Sequence, residues 1–207
     1  MLDSAGFDRW ADQYDAAVSA SDAENAYPFA GYRAVLEDIC RRVLAKPGAA
    51  VLDLGFGTGT LAAMLYEGGC RIYGQDYSAR MLELASAKMP RACLFQGDFT
   101  RELAEPLRNR RYDFIIATYA LHHLTDGQKV TLLSSLLERL DEGGTILIGD
   151  ISFPTRADLE ICRRNAGAEW DEDEIYIVAD ELKTVFPQLT FSRISHCGGV
   201  LSLSKRH

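Results

Sequence analysis

The sequence predicts an α/β fold: a doubly wound, mostly parallel sheet that ends in an antiparallel hairpin and carries helices ahead of its first strand. Three observations carry that expectation. Val51-Leu52-Asp53-Leu54-Gly55-Phe56-Gly57-Thr58-Gly59-Thr60 reads as a buried strand, a glycine turn and a helix start. Tyr112 to Ala117 is an apolar run without alternation, as a central parallel strand buried on both faces requires. Leu189 to Ser195 and Val200 to Ser204 alternate apolar with polar residues and are joined through Cys197-Gly198-Gly199, a hairpin signal.

Two helices are expected before the sheet begins. Phe7, Trp10, Ala11, Tyr14 and Val18 recur at helical spacing, and so do Val35, Leu36, Ile39, Val43 and Leu44 within a helix from about Phe29 to Leu44. Because both precede the first strand, they are expected outside the α/β alternation, as a helical cap or flank. Trp10, Tyr14, Tyr27, Phe29 and Tyr32 either pack that cap onto the core or close over a ligand.

Pro47-Gly48 leads into the first strand, and Gly68-Gly69 closes the helix that follows it. Glycines between a strand and a helix let backbone approach a ligand closely. The free N–H groups and positive end of the helix favour an anionic group there. The alternative is a tight turn that binds nothing. Arg71 to Asp76 is a second strand ending in an acid, about 20 residues beyond the first glycine, where a carboxylate can accept from ribose hydroxyls. Ser78 is a better N-cap than Asp76 for the helix that begins near Tyr77.

Ala92 to Phe95 is the third strand, and Gln96-Gly97-Asp98-Phe99 leaves it in a turn. Arg101 to Arg108 is a short helix that Pro106 ends or kinks. The fourth strand delivers Thr118-Tyr119-Ala120-Leu121-His122-His123-Leu124 to the carboxyl edge of the sheet, where open α/β sheets bind ligands. A helix from Asp126 to Leu140, ended by Asp141-Glu142-Gly143-Gly144, precedes a fifth strand, Thr145 to Asp150. Between Phe153 and Phe186 lie the acidic run Glu169 to Glu174, the apolar Ile175 to Val178 and a helix from Ala179 to Phe186. The acidic run reads as a solvated helix end; the alternative is a lid whose acids select a cationic substrate.

The 207 residues suit one domain with a sizeable core, divided into a cap (1–46), a core (47–150), a variable segment (151–186) and the hairpin (187–207). A net charge of −8 with no basic run argues against nucleic acid as a partner and points to a small molecule. No segment approaches the length of a membrane span, and the first residues lack the pattern of a signal peptide. Cys40, Cys70, Cys93, Cys162 and Cys197 are dispersed without metal spacing, which reads as buried reduced thiols and a cytoplasmic location. His122 and His123 are adjacent, so their rings are expected to diverge and chelate poorly; no metal is expected.

The glycine spacing carries a family resemblance. A dinucleotide fingerprint would place its last small residue at Thr60, whereas here the third glycine comes one position early. Asp53 followed by Gly55-Phe56-Gly57-Thr58-Gly59 resembles motif I of the class I, seven-stranded S-adenosylmethionine (SAM) methyltransferases. Asp76-x-Ser78-x-x-Met81-Leu82-x-x-Ala85 resembles that family's second-strand signature, and Thr118 to Leu124, with its His-His-Leu, resembles the segment after strand four in the small-molecule branch. Phe7 to Asp15 is similar to the family's entry segment. The pattern Asp/Asn-Pro-Pro-Tyr of nucleobase amino methylation and the Pro-Cys of cytosine C5 chemistry are both missing.

The resemblance implies a three-layer, Rossmann-like sheet of seven strands, SAM as cofactor, S-adenosylhomocysteine (SAH) as product and a small-molecule acceptor. It also implies roles for residues. Asp53 orients the methionine part of the cofactor, the backbone of Gly55, Phe56 and Gly57 flanks it, and Trp10 and Tyr14 close over it. Asp76 holds the ribose, Tyr77 and Met81 lie along the adenine, and Gly97, Asp98 and Phe99 form its edge. Thr118 and Tyr119 stand near the methyl. Each histidine either packs, caps or faces the sulfur; His122 is the candidate base, with Tyr119 its helper. Phe56 departs from the small residue or cysteine common at its position, and its ring either narrows the cleft or turns away. The alternative function is a SAM-binding regulator or activating subunit without turnover. A nicotinamide-dependent oxidoreductase is disfavoured by Thr60 and the terminal hairpin.

Overall fold

Strand β1 (Ala50–Leu54) is buried along its whole length and sits at the middle of the sheet, because its side chains feed two cores at once. Val51 joins the apolar cluster on one face; Ala50, Leu52 and Leu54 join the cluster on the other. That period of two, with both faces covered, makes a three-layer structure. The computed structural model describes Val18 and residues 21–205. The expected first helix, apart from Val18, lies outside the described residues, and so do Trp10 and Tyr14.

The chain continues through α2 (Thr60–Glu67), β2 (Arg71–Asp76), α3 (Ala79–Lys88), β3 (Cys93–Gln96), α4 (Glu105–Arg108), β4 (Tyr112–Thr118), α5 (Asp126–Leu137) and β5 (Leu140–Phe153); α1 (Tyr32–Leu44) precedes β1. Then follow α6 (Arg156–Ala166), β6 (Ile177–Val178), α7 (Ala179–Lys183), β7 (Thr190–Arg193) and β8 (Gly198–Ser204). The strand order is β3-β2-β1-β4-β5-β8-β7. All neighbours in that path up to β5 run parallel, and β8 pairs antiparallel with both β5 and β7. The order reverses at β1, so the cleft beyond the carboxyl ends of β1 and β4 is the topological switch point.

Several boundaries differ from the sequence expectation for local reasons. The helix before β5 stops at Leu137, and Asp141 to Gly144 belong to β5, whose pairing with β4 shifts register between Tyr112 and Phe114. From Leu140 to Thr145 β5 takes five steps against two on β4, so three extra residues, with the two glycines among them, loop out without ending the strand. Beyond Asp150, β5 runs on to Phe153 and pairs with β6, so an eighth short strand joins the expected seven. Helix α1 takes the flanking position, packed on one face of the sheet. Its Val35, Ile39 and Val43 are fully buried in one cluster with Leu147 and Ile151 of β5. Cys93, on the edge strand β3, is exposed, whereas the other four cysteines are buried; all five are free thiols. Among the described residues, no helix is long and apolar enough to cross a membrane.

Candidate active site

The β1–α2 turn is built by backbone conformation. Gly55, Gly57 and Gly59 have φ of 70°, 55° and 80°, a region that side chains disfavour. Gly57 faces open space: a Cβ built there meets nothing within 4 Å. Phe56, between the first two, turns its ring away from that space. A Cβ added to Gly74 of β2 would lie 2.7 Å from Phe56 Cδ1, so the ring packs on the strand in the buried core. Of the two positions expected for this ring, it takes the one turned away from the glycine turn, with Phe56 5% exposed.

Two acids lie at the carboxyl ends of neighbouring strands, Asp53 one residue before the end of β1 and Asp76 at the end of β2, and they are satisfied differently. Asp76 Oδ2 accepts the Gly57 N–H at 2.8 Å and Oδ1 accepts the Ser78 N–H at 2.9 Å. Ser78 caps α3, accepting from the Met81 N–H, as its residue type suggests. Asp53 is 1% exposed, and its Oδ1 has no hydrogen-bond partner among the described residues. Burial, with the neighbouring Asp76, pushes its carboxyl up to about 8. An orphaned buried carboxyl beside an open glycine cradle fits the cationic amino end of SAM.

A cavity of about 500 Å³ opens from this turn along the carboxyl edge of the sheet. Of the sequence-assigned residues, Gly55, Gly57, Asp76, Tyr77, Met81, Asp98, Phe99, Thr118, Tyr119 and His122 line it together. Asp53, Phe56 and Gly97 do not line it. Asp53 lies beneath the turn. Gly97 is committed to the loop, its N–H bonded to Asp76 O at 2.8 Å and its Cα packed against the Gln75 amide. Asp98 is engaged too: Oδ1 accepts from Thr100 N–H and Oγ–H, and Arg101 pairs with Oδ2.

The other end of the cavity holds the assigned Tyr119 and His122, and Asp150 and Glu174, which the sequence reading did not assign, stand beside His122. Tyr119 takes φ of 50° as the chain leaves β4, and its ring packs on Tyr32 and Phe29. A single 3₁₀ turn, Leu121–His123, then presents two imidazoles. His122 is buried, with Nδ1 2.7 Å from Asp150 Oδ1. Asp150 is fully buried and also accepts the Leu121 and Ile151 N–H groups. Burial pulls the His122 imidazole down, but the Asp150 carboxylate, its hydrogen bond and Glu174 outweigh burial and hold it above the usual histidine value. The same pairing overcomes burial at Asp150 and keeps its carboxyl below the usual range. Burial and the adjacent His122 push His123 down to about 4.

The acidic run is solvated at Glu169, Asp171, Glu172 and Asp173, as expected, but Glu174 is half-buried. Helix α6 stops at Ala166, and Asp171 and Glu174 line the cavity from outside any helix. Glu174 Oε1 lies 3.5 Å from His122 Nε2, and burial raises its carboxyl. Two polar ties bring this segment to the histidines. Ile175 N–H donates to His122 O at 2.8 Å. The fully buried Lys129 of α5 donates through Nζ to Leu124 O at 2.7 Å and Ile175 O at 2.6 Å. The expected divergence of the histidine rings is also corrected: their centroids are 4.1 Å apart, and a ligand atom from each, with one from Glu174, lies within 4.8 Å of the others. Asp150 was legible as an acid ending an apolar strand, the same signal that singled out Asp76. Glu174 and Lys129 left no such local signal.

The family model described as a methyltransferase domain matches residues 51–144. An uncharacterized methyltransferase of Anoxybacillus flavithermus is 35% identical over 92% of this chain and 86% of its own. Among solved structures, the DhpI–SAM–HEP complex aligns over 96% of this chain and 94% of its own, with a TM-score of 0.71 at 18% identity. Magnesium protoporphyrin IX methyltransferase from Synechocystis PCC 6803 with bound SAH aligns over 84% of each chain, with a TM-score of 0.67 at 18% identity. With the strand order, these matches establish the family: the chain belongs to the class I, SAM-dependent methyltransferases.

Proposed function

We propose that the protein methylates a small-molecule acceptor held between the His122 turn and the segment 151–186. The observation that carries this reading is the single cavity joining the glycine turn at one end to Tyr119, His122 and Glu174 at the other. Its volume of about 500 Å³ suits a cofactor and a modest acceptor rather than a macromolecular segment. The net charge of −8 argues in the same direction against nucleic acid. A cytoplasmic setting is proposed on the five free thiols.

When bound, SAM supplies the methyl as an activated electrophile on a sulfonium. The protein's task is to position and to exclude water. Asp53 would take the amino group, with the backbone of Gly55, Phe56 and Gly57 along the methionine part. Asp76 would hold the ribose, and Tyr77, Met81 and Phe99 would enclose the adenine. Asp98 and Gly97 would shape its edge, and Thr118 would stand near the methyl. Trp10 and Tyr14 are proposed to complete this wall. His122, oriented by Asp150, is the residue proposed to prepare the acceptor for loss of its proton, with Tyr119 beside it. A buried His–Asp pair facing the cavity favours turnover over a role in binding alone.

The test is a screen of small thiols, hydroxyl compounds and amines with methyl-labelled SAM. Label is expected in a small product with the wild type, reduced on the order of 100-fold in His122→Ala, while SAH affinity is retained. Label transferred only to protein or nucleic acid would overturn the acceptor assignment.

A further inference from the structure

We propose that His122, His123 and Glu174 form a site for a divalent transition metal of the zinc class, with a coordination position open to the acceptor. Two histidines and a glutamate with an open position make up a ligand set of catalytic zinc sites. One ligand atom from each lies within 4.8 Å of the others. Bonds of about 2.0–2.2 Å to one tetrahedral ion place ligand atoms about 3.3–3.6 Å apart, so side-chain rotations that close the widest pair by on the order of 1 Å complete the set.

Four further features make this a built site. His122 Nδ1 is engaged by a buried carboxylate, Asp150, which leaves Nε2 as the ligand nitrogen. This carboxylate–histidine support fixes tautomer and ring orientation in metal centres. Asp150 is itself held by two backbone N–H groups, so the support is rigid. The ligands come from two segments, and the Lys129 ammonium and the Ile175–His122 backbone bond clamp those segments together. Finally, all three ligands and Asp171 line the cavity, and at His122 the Asp150 and Glu174 carboxylates outweigh the nearby Lys129 ammonium.

The inference rests on the reading that the acceptor meets the cofactor at His122, and it assigns how His122 works there: as a ligand through Nε2. An acceptor thiol or hydroxyl would bind the ion through sulfur or oxygen and lose its proton to solvent. The lone pair left on that atom forms the bond to the methyl carbon, as the electron pair of the methyl–sulfonium bond returns to sulfur.

The test uses the full chain, freed of metal by chelator and titrated with Co²⁺. One Co²⁺ per chain is expected, with the visible d–d absorption of a four- or five-coordinate ion, displaced by Zn²⁺. His123→Ala and Glu174→Gln are each expected to abolish that absorption while binding SAH as the wild type does, which shows the fold intact. Asp150→Asn is expected to weaken Co²⁺ by about 10–100-fold. No such absorption in a wild type that binds SAH, or equal binding in the two ligand variants, would overturn the site. Failure of the wild type to bind SAH would count against the underlying cofactor reading, and the cobalt titration still decides the metal site by itself.

Discussion

Asp53, one residue before the end of β1, and Asp76, at the end of β2, are two buried carboxyls on adjacent parallel strands, and only Asp76 has its oxygens answered by backbone. Asp76 accepts from Gly57 and Ser78, whereas Asp53 Oδ1 is buried without a partner among the described residues. The difference makes Asp76 a fixture of the glycine turn and leaves Asp53 the carboxyl proposed above to take a cationic amino group.

Asp53 therefore links protons to stability and to binding. Its carboxyl is raised in the folded protein from an ordinary 3.8 to about 8. The folded state keeps this proton where the unfolded state has lost it. The resulting stability is fully present below about pH 4 and is lost as pH rises through about 8. Asp53→Asn is expected to remove this slope and to exceed the ligand-free wild type in stability at pH 8 by on the order of a few kcal/mol, read by urea unfolding across pH. Binding of SAH near pH 7 is expected to release a proton in the wild type and none in Asp53→Asn. Calorimetry in buffers of different ionisation enthalpy measures this release, and equal release in both proteins would contradict it.

Phe56 is a core residue in a ligand loop. Phe56→Leu is expected to cost about 1–2 kcal/mol of stability yet leave SAH affinity within a factor of about three. Urea unfolding and titration calorimetry read the two effects separately. A tightened affinity with unchanged stability would mean that the ring occupies the cleft.

Lys129 is the clamp between the histidine turn and the acidic segment. Lys129→Met leaves the carbonyls of Leu124 and Ile175 without their buried donor, a loss of about 1–3 kcal/mol. Exchange of the Ile175 N–H, bonded to His122 O, is expected to quicken in this variant ahead of amides in β1 or β4. Unchanged exchange at Ile175 would show that the segment is held by other contacts, such as the stacking of Trp170 on Tyr27.

How much of this was legible in the sequence depended on the range of the forces involved. The parallel core was readable because Val51 and Leu52 serve opposite faces of one strand, a pattern written in consecutive residues. The glycine turn, Asp76 and the Ser78 cap were readable because turn and cap chemistry is local. The position of α1 was not, since only tertiary packing against Leu147 and Ile151 decides between a cap and a flank. Glu174 was hidden for the same reason. Its place opposite His122 depends on a buried lysine 45 positions earlier in the chain (129 to 174) and on a backbone bond to the histidine turn. The convergence of His122 and His123 was misjudged from adjacency alone, because a 3₁₀ turn stacks neighbouring rings edge to face.

The most direct test of the cofactor assignment is calorimetric titration of SAH into the wild type and Asp76→Ala, with NAD as the control ligand. Micromolar binding by the wild type, about 8 kcal/mol, weakened at least about tenfold in Asp76→Ala and absent for NAD, is the predicted result. A wild type that binds NAD instead, or SAH affinity untouched by loss of the Asp76 carboxylate, would contradict the assignment of the glycine turn and Asp76 to SAM.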